Sequence, residues 1–255
     1  MLKHRVIPTL LLDEGGLVKT KKFANPSYVG DPINAIRIFN DKEVDELVVL
    51  DISASKEGRE PDYRLIEEFA SECFMPLTYG GGVKTIEHAA RLFDLGVEKV
   101  CIHSAALADV SLISAFSSRF GSQSVAVSVD VRRNFFGTLR LYDSVKRQNC
   151  SEHWLDYLSR IQSAGAGEIL LNAVHKDGTL SGPDLDLIKS ASSKLSIPLV
   201  ATGGISSLAD IKHAVEHGAD AVAAGAFFVY HGKHRAVLIS YPKYDELESL
   251  FKGEN

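Results

Sequence analysis

Hydrophobic positions along the chain follow two alternating rhythms. Short β-branched apolar runs predict strands at Arg5–Leu11, Glu46–Asp51, Pro76–Tyr79, Lys99–His103, Ser124–Asp130, Glu168–Asn172, Pro198–Thr202 and Asp220–Gly225. Between them lie stretches with apolar residues three and four apart, such as Thr85–Leu95, Trp154–Ala164 and Leu208–His217, which predict amphipathic helices. Gly96, Gly165 and Gly218 follow these three helices, where a left-handed cap belongs. Strands this uniformly apolar imply a parallel sheet covered by helices. Eight such units in 255 residues fit an α/β fold of the closed (β/α)8 TIM-barrel type better than an open doubly wound sheet.

An internal repeat sharpens this expectation. PLTYGGGVKTIEHAARLFDLGVEKV from Pro76 matches PLVATGGISSLADIKHAVEHGADAV from Pro198, an offset of 122, and the same offset carries Glu46 onto Glu168. VIPTL from Val6 resembles VAVSV from Val125 at an offset of 119, which pairs Leu11 with Asp130. The chain reads as one barrel domain with two pseudo-symmetric half-barrels, about 1–122 and 123–255. Asp13–Pro32 is the longest irregular segment and reads as a loop over an active site. RRNFFGTLRLYDSV, from Arg132, reads as a small inserted hairpin, and Pro242 breaks any final helix.

Composition narrows the partners. A formal net charge of −5 leaves no electrostatic footprint for nucleic acid. The opening residues return to charge too soon for a leader or anchor, and no stretch is apolar enough to span a membrane. Cys73, Cys101 and Cys150 have no CxxC spacing, which points to a reducing cytoplasm. The histidines form no HExxH or HxH, and no GxGxxG appears, so neither metal nor cofactor is expected.

Chemistry-bearing residues gather at predicted strand ends. Gly81 and Gly82 close one strand, Gly203 and Gly204 its repeat, and Ala224 and Gly225 the last. Each pair alone could be a tight turn; two related pairs suggest two phosphate sites across a barrel mouth, hence a bisphosphate or phosphosugar guest. His103 with Ser104, and Gly178 with Thr179, would complete them. Asp51, Asp130, Asn172 and Asp177 end strands or start the loops after them, as general acids and bases do, although each could instead cap a loop. Lys19 could close over an anion. At the opposite strand ends Arg5, Glu46, Lys99 and Glu168 alternate in sign, as a salt-bridged ring or a plug of the barrel base would.

Nearly the whole chain, from KHRVIP through DELVVLDISAS, PLTYGGG, AGEILL and PLVATGGI, resembles the cyclase subunit of imidazole glycerol phosphate synthase. The resemblance implies a two-half (β/α)8 barrel, a glutaminase subunit docked on its floor, and ammonia passing through the interior to a bisphosphate at the top. It makes Arg5, Glu46, Lys99 and Glu168 the ammonia gate. It assigns Gly82, His103 and Ser104 to one phosphate, and Asp177, Gly178, Gly204, Ala224 and Gly225 to the other; Lys19 matches the family's loop lysine. The family's two acid–base aspartates end strands 1 and 5. Here strand 5 keeps Asp130, but strand 1 has Leu11, with Asp13 two residues on as a weak substitute. Asn172, His175 and His103 also depart from the family pattern. The tail YHGKHRAVLISYP resembles a divergent branch associated with acetamidino modification of surface sugars, in which a sugar-amidating enzyme is a further partner. Three functions follow: an ammonia-accepting subunit of that branch, the histidine-biosynthesis cyclase itself, or a non-catalytic scaffold that activates a glutaminase.

Overall fold

The computed structural model describes residues 4–252. The start of the segment read as neither leader nor anchor, residues 1–3, lies outside the described residues. Eight parallel strands form the frame: β1 (Arg5–Asp13), β2 (Leu47–Asp51), β3 (Leu77–Gly80), β4 (Lys99–Ile102), β5 (Val125–Arg133), β6 (Glu168–Ala173), β7 (Leu199–Thr202) and β8 (Ala221–Ala224). Each pairs with the next, and β8 pairs back onto β1 through Arg5↔Ala221 to Pro8↔Ala224, so the sheet closes. Helices cross between the strands, and this is a (β/α)8 TIM barrel.

Strand alternation separates two cores. Val6, Leu10 and Leu12 of β1 and Val125, Val127 and Val129 of β5 face outward onto the helices. Ile7, Val48, Cys101, Ala126, Leu170, Val200, Ala221 and Ala223 face inward and fill the lumen. This double burial is why the strands read as unbroken apolar runs. Among the described residues, no helix is long and apolar enough to cross a membrane.

The repeat extends to the caps. Thr85 caps one helix and Ser207 its counterpart, and both helices end before glycines, Gly96 at φ +100° and Gly218 at φ +101°. Positive φ at these ends is what glycine tolerates and a side chain resists. Register repeats too: Leu11 lies beside Leu50, and Asp130 beside Asn172.

One expectation is corrected here. Asp13–Pro32 is not irregular: Gly16–Lys21 and Ala24–Gly30 form an antiparallel hairpin that doubles back on β1, with Leu11↔Val18 and Asp13↔Gly16. Its tip turns through Lys22 and Phe23 at φ +55° and +59°, the left-handed geometry of a tight hairpin. The hairpin from Arg132 is present, with Val131↔Leu141 and Arg133↔Leu139. Past Pro242 the last helix runs Tyr244–Phe251.

Candidate active site

The C-terminal ends of the strands surround a mouth of about 190 Å³. Its lining includes Lys19, Asp51, Gly81, Gly82, His103, Ser104, Asp130, Asn172, Asp177, Gly178, Gly203, Gly204, Ala224 and Gly225, so fourteen separately chosen residues converge there. Leu11 lines it as well. Two expectations fail on position. Asp13 sits beyond the rim, where β1 turns into the hairpin, and is not part of the lining. Thr179 also lies outside it; its hydroxyl donates to the Lys176 carbonyl at 2.7 Å and meets Ser181 Oγ at 2.8 Å.

The carboxylates divide by use. Asp51 Oδ1 accepts from the Ser53 and Ala54 amides and from Ser53 Oγ, each at 2.9 Å, while Oδ2 lies 3.6 Å from Arg59. That pattern organises the loop after β2, the plain alternative for this residue. Asp177 anchors the hairpin lid: it accepts from Thr20 Oγ1 at 2.9 Å and the Phe23 amide at 3.2 Å, and its carbonyl accepts from the Lys22 amide at 3.0 Å. A Cβ on Gly178, at φ +63°, would collide with the Thr20 carbonyl, so the lid lies directly on this turn. Burial pushes the Asp177 carboxyl above its ordinary range.

Lys19 belongs to the lid strand, not to an irregular loop, and is 4% exposed. Nζ donates to the Thr9 carbonyl at 2.6 Å. Burial lowers its ammonium to about 8 against the opposing pull of Asp177.

Asp130 is 3% exposed on the inner face of β5. Oδ1 accepts from Asn172 Nδ2 at 2.7 Å, and Oδ2 lies 3.2 Å from His103 Nε2. Ser128, two residues earlier on the same face, accepts from Asn172 Nδ2 through Oγ at 2.9 Å, and its carbonyl faces His103 Nδ1 at 2.9 Å. Ser128 was missed in sequence, although the two-residue period of β5 places it beside Asp130. His175 lies outside this group and pairs with Asp184 at 2.8 Å; Arg133 grips the same carboxylate at 2.9 and 3.0 Å. These partners hold Asp184 at about 2, outweighing the opposing effect of its burial.

At the other end of the barrel the four charges do form a closed ring. Arg5 bonds Glu46 with one guanidinium nitrogen and Glu168 with another. Lys99 Nζ completes the circle at 3.0 Å from Glu46 and 3.1 Å from Glu168. Thr78 Oγ1, unforeseen, donates to Glu46 at 2.8 Å. Glu46 and Glu168 are 3% and 8% exposed, so the ring faces the lumen. Just inside it is a cavity of about 10 Å³, room for about one water-sized molecule. Cys101 lines both this cavity and the mouth.

These features define a two-half (β/α)8 barrel with a polar mouth over an apolar lumen and a charged floor. The model of the family described as "Histidine biosynthesis protein" matches residues 5–235. A protein of Pseudomonas aeruginosa, "Putative imidazole glycerol phosphate synthase subunit hisF2", is 52% identical over 97% of this chain and 99% of its own length. "Putative imidazole glycerol phosphate synthase subunit hisF3" of Vibrio vulnificus is 46% identical over 96% and 95%. "Imidazole glycerol phosphate synthase subunit HisF" of Streptomyces coelicolor is 40% identical over 89% and 90%. The chain belongs to the histidine biosynthesis protein family, among the imidazole glycerol phosphate synthase cyclase subunits.

Proposed function

We propose that this chain is the ammonia-accepting barrel subunit of a glutamine-dependent amidotransferase complex, with a glutaminase docked at the charged floor. Within that role it serves acetamidino modification of a surface sugar, in the cytoplasm, beside a sugar-amidating enzyme. The observation that carries this reading is Leu11. It lines the mouth at the place the repeat gives to Asp130, so one wall has a carboxylate and the other a hydrocarbon. Leucine transfers no proton, and losing one positioned acid–base group costs about 10²–10⁴-fold.

The floor supports the ammonia route. A ring of four paired charges over a water-sized, apolar-walled cavity suits a small neutral molecule and disfavours ions, which lose hydration on entry. The mouth supports an anionic guest through Lys19 and the glycine turns, and Thr9 Oγ1 is buried there without a partner. The purified complex, given ammonium and the bisphosphate of histidine biosynthesis, is expected to turn over at least 10²-fold more slowly than a cyclase relative assayed alongside. Equal rates would instead establish the histidine-pathway cyclase, the reading favoured by Asp130 alone. Glutaminase stimulation and product formation that both survive Asp130→Asn would establish the scaffold.

Lys19 adds a pH signature. With its ammonium titrating at about 8, its charge is present below that pH and lost above it. Calorimetry with inorganic phosphate is expected to show roughly tenfold weaker binding at pH 9 than at pH 7. Lys19→Met should remove that difference.

A further inference from the structure

We infer that His103 and Asp130 act as one acid–base pair holding a single proton between them, so that the mouth has a proton donor as well as a base on one wall. The inference deepens the proposed function and rests on it for the guest, but its geometry stands apart. His103 Nδ1 lies 2.9 Å from the Ser128 carbonyl, which can only accept. Nδ1 therefore carries hydrogen. Nε2 then lies 3.2 Å from Asp130 Oδ2, off the line of a hydrogen bond, and is buried with no hydrogen-bond partner. An unprotonated nitrogen this close to a buried carboxylate oxygen would repel it, so one proton belongs to the two groups together, on one atom or the other. The other carboxylate oxygen, Oδ1, accepts from Asn172 Nδ2 at 2.7 Å, which leaves Oδ2 for the imidazole.

The placement suits nitrogen transfer. Both groups line the mouth, His103 just past the end of β4 and Asp130 on the adjacent β5, across from the Leu11 wall in the repeat. When ammonia forms a C–N bond to the guest and a C–O bond breaks, nitrogen loses one proton and the departing oxygen gains one. The pair can accept the first at Asp130 and release the second from His103 Nε2, ending with the single proton it began with. Lys19, Asp177, Cys101 and Tyr157 are further titratable groups near Asp130. Burial holds the Cys101 thiol up to about 12, so it does not compete as a base.

The test is nitrogen-15 NMR of the full chain labelled at histidine, with His103→Gln to assign the signal. The expected result is a protonated Nδ1 and an Nε2 resonance that moves on Asp130→Asn while the other histidine signals stay in place. An Nδ1 without hydrogen, or an Nε2 unmoved by Asp130→Asn, would overturn the pair. If Asp130→Asn does not fold, Asn172→Ala frees Oδ1 instead, and the Nε2 resonance should still shift. In the assembled complex with ammonium and the bisphosphate, His103→Gln should lower kcat by about 10²–10⁴-fold with KM little changed. A kcat unmoved in a turning-over complex would overturn the acid–base role. Where the unaltered complex turns this bisphosphate over too slowly to measure, as the proposed function allows, the NMR signature alone decides the pair.

Discussion

Arg5→Ala is expected to destabilise the barrel by about 2–4 kcal/mol, measured as a lower urea midpoint at unchanged slope. Among the described residues, Arg5 and Lys99 are the two cations that bridge Glu46 and Glu168. Removal of Arg5 leaves two nearly buried carboxylates sharing one ammonium, and burying an uncompensated charge is costlier than lacking the pair altogether. The loss should fall below that of a fully buried pair, because the Arg5 side chain keeps 30% of its exposure and water can enter beside Lys99. Arg5→Lys should recover only part of it, since an ammonium cannot present the planar fork that reaches both partners. If the ring also gates ammonia, the Arg5→Ala complex should hydrolyse glutamine without matching product. A midpoint shift below ~0.5 kcal/mol would show that the ring is solvent-screened and contributes little.

Leu11→Asp is expected to raise ammonium-dependent turnover of the histidine-pathway bisphosphate by about 10²–10⁴-fold. The substitution places a carboxylate at the mouth position that the repeat equates with Asp130. Leu11 stands beside Leu50, whose side chain packs against the lumen core, so the new carboxylate is partly desolvated and suited to proton transfer. Leu11→Asn is the control, with the same size and polarity but no proton to exchange. If both variants gain equally, or neither gains, Leu11 is not what withholds cyclase chemistry.

Much of this molecule can be read without coordinates. The eight strands lie within three residues of their expected ends, because strands buried on both faces leave unbroken apolar runs. The repeat at 122 relates corresponding strands, and the structure adds that the caps Thr85 and Ser207 match at the same offset. The mouth residues were found because barrel strands end there, and chemistry-bearing side chains at strand ends have few other places to go. The lid hairpin was hidden. Lys19, Lys21 and Lys22 interrupt its apolar positions, and the turn depends on left-handed residues that are not glycine. Asp51 and Asp130 look alike in sequence; only the neighbours, Ser53 and Ala54 for one and His103 and Asn172 for the other, separate a loop organiser from a candidate base.

The chain order alone determined the barrel, its twofold repeat, the family likeness and the leucine where a second acid would stand. These depend on periodicity and on identity at aligned positions, which are local properties of the string. Tertiary structure decided that four charges from four strands close into one ring, that Asp13 stays beyond the rim, and that His103 reaches Asp130. Such facts are set by side-chain direction and by distances of a few ångströms between segments far apart in the chain, and no spacing along the sequence encodes them.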